Sequence, residues 1–377
     1  HPVAHSFPTR RSSDLWAFVP EFALPDLATV ADTSYCHQYT VDLTPTVRDC
    51  QLNGAWRTVL IGGGREGGSG YFALNVTEPH SPDLLWQVSL PNGKPFASQV
   101  EIAVVGGETV ALIGSGLDES NGEAMVEVYA VDDGTHLGTA PLAVDAGRRN
   151  KATAPRAVDL DLVGEHDALY VADLQGHVWK FVFNGSTDPW AWDRYCLWED
   201  TSKEITSPPT PAYGDGGSVN VYFGTGAYLE ESDIATREDN IFGCIIDRQS
   251  GMQYASLHDQ TDGIDDLTGA DGWYLRLENQ SGERVTEPAV VVAESVFFTS
   301  FVPSQEVCSA GGNSWLYRLD YRDASVPDDG ESDEWDGDRS IDLEQGVASR
   351  PVVDVVNETV IVQSSDATIT VQDIGQS

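Results

Sequence analysis

Residues 169–183 read LYVADLQGHVWKFVF: an apolar, strand-length run closing on Asp173, a short polar turn around Gly176, and a second apolar run from His177 to Phe183. β-branched and aromatic residues in runs of this length, punctuated by glycine, indicate paired strands rather than a helix. The same shape returns along the chain. Val59–Gly64 precedes Tyr71–Val76, Ala111–Gly116 precedes Val126–Asp132, and Val221–Gly226 precedes Ile241–Asp247; Val296–Phe301 precedes Trp315–Asp320, and Val360–Gln363 precedes Thr368–Asp373. With Leu60, Leu112, Tyr170, Tyr222, Phe297 and Ile361 taken as equivalent, the intervals are 52, 58, 52, 75 and 64 residues. Propeller blades repeat at roughly 40 to 50 residues, so these intervals are blades with insertions. The pattern predicts an all-β chain folded as a β-propeller of six to seven blades, because radial repetition hides the edges that many short strands otherwise leave open. A tandem of β-sandwiches is the competing architecture, and it does not account for the recurrent glycine-ended strand.

Leu15–Val19 (LWAFV) and Leu84–Val88 (LLWQV) read as outer strands of blades, the first belonging to a blade whose inner strands are lost to N-terminal truncation. Residues 1–14, including the basic stretch SFPTRRSSD in an otherwise acidic chain, read as a non-native segment and residues 15–377 as one propeller domain. Asp259–Gly272 and the acidic stretch Val326–Asp338 are insertions between strands.

The 377 residues are 41% hydrophobic, ample for a sizeable core. Charge is the unusual quantity: 21 Lys and Arg against 60 Asp and Glu leave −39, with lysine only at 94, 151, 180 and 203. Such a surface repels phosphate backbones and anionic lipid, which argues against nucleic acid as a partner. Ten Trp, thirteen Tyr and twelve Phe spread along the chain show that the acid decorates a folded protein rather than a disordered one. Excess carboxylate with depleted lysine is expected of a protein working in high salt, where screening removes the self-repulsion. No apolar run approaches the ~20 residues of a transmembrane helix.

Neither H-E-x-x-H, G-x-S-x-G, a P-loop nor C-x-x-C occurs, and the eight histidines do not cluster. On a strand reading of Gln175–Phe181, His177 falls at an exposed alternate position. The spacing with a mechanism is Val158–Tyr170 (VDLDLVGEHDALY). A calcium loop of the EF-hand kind takes oxygen from positions 1, 3, 5, 7 (a carbonyl) and 9, with glycine at 6. Asp159 as position 1 puts Asp161 at 3, Val163 at 5, Gly164 at 6, the Glu165 carbonyl at 7 and Asp167 at 9. Val163 has no side-chain oxygen, and Tyr170 stands where a bidentate Glu would close the loop. A Ca²⁺ site on Asp159, Asp161 and Asp167 is one reading of this stretch, and a tight acidic turn between blades is the other. Of the five cysteines, Cys36 and Cys50 are the best pair, fourteen residues apart around Thr44–Thr46. Closing such a loop stabilises by ~3 kcal/mol; the alternative is small buried hydrophobes in a reducing compartment. Cys196, Cys244 and Cys308 carry no assigned pairing.

Trp56–Pro79 (WRTVLIGGGREGGSGYFALNVTEP) resembles the C-terminal β-propeller of the PilY family, the type IV pilus assembly and tip-adhesin proteins. The likeness continues in order through Ala157–Phe181, similar to the family's aspartate-rich calcium loop and its D-L-Q-G-x-x-W-x-F blade, and Val221–Asp233 (VYFGTGAYLEESD). Gly272–Leu277, Gly282–Arg284 and Gly311–Asp320 are similar to later blades, so the resemblance spans about residues 15 to 374. It implies a quinoprotein-like propeller and metal ligands at Asp159, Asp161 and Asp167, the family's third loop aspartate falling on Val163. It also implies export through the periplasm to the pilus or outer surface of a Gram-negative-type bacterium, which favours an oxidised Cys36–Cys50 pair. The expected function is non-enzymatic, in pilus extension and retraction, surface attachment and twitching motility, with calcium as a regulator. Minor pilins and host or abiotic surfaces are the expected partners. A quinoprotein-type (PQQ-dependent) dehydrogenase is the alternative, suggested by Tyr129–Gly138 (YAVDDGTHLG), though the adjacent cysteine pair often found there is missing. A periplasmic assembly scaffold is the third reading.

Overall fold

The computed structural model describes residues 16–30, 33, 35–36, 38–90, 94–116, 123–142, 147–292, 294–305, 311–327, 335 and 338–374. Six sheets follow one another along these residues, antiparallel apart from one short parallel pairing. Blade 1 comprises Thr46–Leu52, Ala55–Gly63, Gly70–Asn75 and Asp83–Ser89. In blade 2, Lys94–Pro95 and Glu101–Val105 both pair with Glu108–Gly116, followed by Ala124–Ala130 and His136–Pro141. Blade 3 is Arg156–Val158, Ala168–Ala172, His177–Val182 and Asp193–Glu199. Blade 4 is Thr210–Tyr213, Val219–Gly224, Ile241–Asp247 and Gly272–Arg276, with His258–Asp259 added in parallel at its outer edge. Blade 5 is Val290–Val292, Ser295–Pro303, Gly312–Asp320 and Ser340–Gln345; blade 6 has Val352–Asp354, Thr359–Gln363 and Ile369–Asp373. Each of the six strand pairs read from the sequence is the second and third strand of one sheet.

The pairs of blades 2 to 5 are legible because the middle of these blades is buried on both faces along most of its length. All five residues of Ala168–Ala172, all six of Val219–Gly224 and all nine of Ser295–Pro303 are buried, whereas Ile369–Asp373 at an outer edge alternates exposed and half-buried. Side chains alternate across a strand, so each blade feeds two different cores. Leu169 and Val171 pack with Val110, Leu112 and Val126 of blade 2. Ala168 and Tyr170 pack with Val219, Val221 and Phe223 of blade 4. Equivalent clusters join blades 1 to 2, 4 to 5 and 5 to 6. The tightest packing is the stack of Phe242 on Phe298 (centroids 3.7 Å) and Phe298 on Tyr317 (4.4 Å) between blades 4 and 5.

Several polar groups enter these cores with partners, whereas the Tyr71 hydroxyl and Trp273 Nε1 are buried without one among the described residues. Asp173, fully buried, accepts from the backbone N–H groups of Gln175 (2.9 Å) and His177 (3.2 Å), from the His177 ring (2.9 Å) and from Trp179 Nε1 (2.9 Å). Gly176 completes the turn at φ +85°, where a Cβ would meet the Asp200 carbonyl oxygen at 2.1 Å. His177 is therefore 7% exposed, not the surface position its strand parity suggests. Both faces of this strand are buried, so alternation selects a neighbour rather than solvent. Between blades 3 and 4, Lys180 Nζ lies 2.7 Å from Asp247 Oδ2, which also accepts from the Tyr170 hydroxyl at 2.7 Å.

Two further expectations are corrected. Trp16–Val19 forms no strand, and Leu15 lies outside the described residues. The segment instead packs along blade 1: Phe18 meets Phe72 at 4.8 Å between centroids, Phe22 lies over Gly70, and Trp16 Nε1 donates to the Pro79 carbonyl at 2.7 Å. Leu84–Val88 is the outer strand of blade 1, as expected. Cys36 and Cys50 are free thiols, as are Cys196 and Cys244. The pleat turns Cys50 into the core between blades 1 and 2, where burial pushes its pKa up, whereas Cys36 is exposed in the preceding segment. Residues 1–14, Cys308 and most of 326–338 lie outside the described residues.

Burial works against the charge of His177, but the hydrogen bond and charge of Asp173, with Glu199, outweigh it and raise its pKa above the ordinary value. The folded state thus binds the proton more tightly than the unfolded chain. The resulting stability is present in full below the unfolded pKa of about 6.5 and is lost as pH rises through the raised folded value. The gap in urea midpoint between the native chain and His177→Gln is expected to be larger at about pH 6 than at about pH 8.5; an equal gap at both refutes the assignment.

Candidate metal centre

The first hairpin of blade 3 carries residues 159–167 between Arg156–Val158 and Ala168–Ala172. Asp167 N closes it on the Val158 carbonyl at 2.9 Å. Inside, the aspartates organise the backbone: Asp159 accepts from Val163 N (3.2 Å) and Gly164 N (2.7 Å), Asp161 from Val163 N (3.3 Å) and Asp167 from Leu160 N (2.6 Å). To bend this tightly the chain enters the left-handed region at Leu162 (φ 61°) and Gly164 (φ 97°).

The result is a triad. One carboxylate oxygen each from Asp159, Asp161 and Asp167 lies within 4.8 Å of the others. Two oxygens bound to one Ca²⁺ at 2.3–2.6 Å can be no more than about 5 Å apart, so the three fit a shared calcium ion. Their backbone bonds leave lone pairs free, since a carboxylate offers about four acceptor sites. Val163 contributes its N–H to the loop, and its side chain is 72% exposed. The Glu165 side chain is exposed and stands outside the triad, leaving its carbonyl as its possible donor. Desolvation pushes the Asp159 pKa up, but the N–H groups of Gly164, Leu162 and Val163 and the Asp161 side chain prevail and hold it below the usual carboxylate range.

The loop touches three blades. His166 N donates to the Val104 carbonyl at 2.7 Å and Val104 N donates to His166 Nδ1 at 3.1 Å, tying the loop to blade 2. From blade 4 the Tyr213 hydroxyl donates to the Asp159 carbonyl at 2.5 Å. Sequence reasoning missed His166 and Tyr213: their partners are 62 and 54 positions away, and no local pattern marks such pairs.

A six-sheet propeller with an aspartate hairpin clasped between blades is the class that fold and site define. Residues 22–191 match the family model described as the PilY1 beta-propeller domain. The PilY resemblance read from the motifs is thereby borne out, and the matched residues 22–191 are similar to the PilY1 propeller domain. The chain is 28% identical over 377 aligned residues to a type IV pilus biogenesis factor PilY1 homolog of Xylella fastidiosa, covering 84% of this chain and 25% of that protein. With PilY1 of Pseudomonas aeruginosa (strain UCBPP-PA14) it shares 27% identity over 400 residues, covering 84% and 34%. The chain thus spans a quarter to a third of the length of these curated relatives. Its fold matches the crystal structure of the Pseudomonas aeruginosa PilY1 C-terminal domain with a TM-score of 0.74 at 21% identity, covering 95% of this chain and 88% of that one.

Two glycines separate backbone strain from crowding. Nothing lies within 4 Å of a Cβ at Gly164, so Gly164→Ala is expected to cost only the left-handed backbone penalty, about 1–2 kcal/mol in a urea melt. Gly176→Ala, which also drives a Cβ into the Asp200 carbonyl, is expected to cost more; the reverse order refutes this account of the loop.

Proposed function

We propose that this chain is the propeller region of a type IV pilus biogenesis factor that supports pilus extension and retraction, surface attachment and twitching motility without catalysing a reaction. It works between the periplasm and the pilus or cell surface of a Gram-negative-type bacterium, with minor pilins as partners. Similarity to PilY1 proteins over 84% of the chain carries this reading. A ring of sheets with loops at both rims suits the role, because it presents binding surfaces on a rigid frame. Deleting this region from the gene of a piliated host is expected to reduce surface pili and the twitching zone. Normal piliation and motility overturn the reading.

Within this function, Asp159, Asp161 and Asp167 bind Ca²⁺, with the Glu165 carbonyl completing the set. A bound ion would screen the repulsion of three clustered carboxylates and stiffen a loop held by blades 2, 3 and 4. The −39 net charge concentrates cations around it and, as a high-salt adaptation, should make the melting temperature rise with added NaCl. In a calorimetric titration after chelation, one-site calcium binding is expected, lost in Asp161→Ala and at least tenfold tighter in Val163→Asp, which restores the missing ligand. Absence of saturable heat from the folded protein removes the calcium role and leaves the pilus role standing.

A further inference from the structure

The innermost strands of blades 1 to 6 neighbour one another in chain order around the axis. In each blade the approach to that strand lines a common axial cavity of about 320 Å³, through residues that include Thr44, Gln99, Ala154, Pro208, Glu287 and Arg350. In five blades the next residue is proline, at 45, 155, 209, 288 and 351. Proline suits the position because the axial edge of an inner strand has no ladder partner for an N–H.

Charge in this cavity is distributed unevenly. Arg65 is held by Asp42 at 3.3 Å and by the Phe96 carbonyl at 3.5 Å. Arg156 beside the cavity is held by Gln99 Oε1 at 3.1 Å and Glu101 at 3.6 Å. Arg350 and Glu287 differ: among the described residues neither side chain has a hydrogen-bond or ion-pair partner, and they form no ion pair with each other. Both nevertheless sense the site. Arg350 is exposed and Glu287 half-buried; partial desolvation and the like charge of Arg156 lower the Arg350 pKa against the pull of Glu287, while desolvation raises that of Glu287 against Arg350 and Arg65. A guanidinium and a carboxylate are thus displayed across one water-accessible space in a chain whose cations are scarce.

We propose that the axial cavity binds a small zwitterion of amino-acid type, its carboxylate on the Arg350 guanidinium and its ammonium on the Glu287 carboxylate. The guanidinium fork matches a carboxylate bidentately. The volume lies at the small end of ligand pockets, which suits a ligand of this size. A second acidic group on the ligand would face Arg65, and the hydroxyls of Thr44, Thr153, Thr206 and Thr286 supply further hydrogen bonds around the wall. The proposal rests on neither calcium binding at the acidic hairpin nor the pilus role.

L-aspartate and succinate separate the two charges, since both are dicarboxylates and only aspartate carries an ammonium group. Calorimetric titration of the full chain is expected to give saturable binding of aspartate and at least tenfold weaker binding of succinate. Arg350→Gln should abolish both, Arg350→Lys should retain part, and Glu287→Gln should erase the preference for aspartate. Because neither side chain supports the fold through a described partner, the variants should melt like the native chain. Absence of saturable aspartate binding, equal affinity for succinate, or binding unaffected by Arg350→Gln in a folded variant overturns the proposal.

Discussion

A sheet with apolar residues on both faces cannot stand in water by itself, and this requirement organises the molecule. Blade 3 is stable only between two neighbours, because Leu169 and Val171 need blade 2 as Ala168 and Tyr170 need blade 4. Arranging sheets radially meets that need repeatedly while the outermost strands are left to face solvent. Burial, and not strand propensity alone, therefore determines where the chain can vary. Insertions such as Asp259–Gly272 hang on outer strands or hairpins, and the strands between them stay short and apolar.

The same constraint governs where charge is admitted. With 21 cationic side chains against 60 anionic ones, several of the cations are spent inside, where each ties separate pieces of chain. Arg284, 1% exposed, donates to the carbonyls of Gly282, Ala227, Asp233 and Thr236 and so pins the loop after Val219–Gly224. Lys180 joins blade 3 to Asp247 of blade 4. A buried pair of this kind adds little net stability over a well-packed apolar substitute, but removing one partner costs about 3–5 kcal/mol because the other charge is stranded. These ties select one blade-to-blade register, whereas the excess acid outside contributes to solubility.

How much of this could be read beforehand follows from the same physics. In blades 2 to 5 two-sided burial writes unbroken apolar runs into the sequence, which makes their central strand pairs legible, as is the D-x-x-G turn at Asp173–Gly176. The burial of His177 is not legible from alternation, which along this strand separates one neighbouring blade from another and not core from solvent. Trp16–Val19 has the composition of an outer strand but packs through Phe18 on Phe72 of blade 1, while Phe22 lies over Gly70. The spacing of Cys36 and Cys50 permitted a bridge, yet the pleat points Cys50 into a core that Cys36 does not enter. Of the acidic hairpin, the three converging aspartates were legible from spacing, while the His166 and Tyr213 contacts depend on which blades become neighbours. The axial residues were hidden for a related reason. They are spread over all six blades, and only the proline that recurs before the inner strand in five of them hints at their equivalence.

The hairpin and the axis belong to one mechanical unit. Arg156 begins the strand that leads to Asp159, and its guanidinium bonds Gln99 at the cavity and Glu101 of blade 2, while three residues further on the Asp159 carbonyl takes the Tyr213 hydroxyl from blade 4. Any ordering of the 159–167 loop is thus felt along a short strand whose other end abuts the axial wall. Packed interfaces respond to such local ordering by choosing between discrete arrangements rather than by deforming smoothly. Through His166 and Tyr213 this one hairpin joins blades 2, 3 and 4.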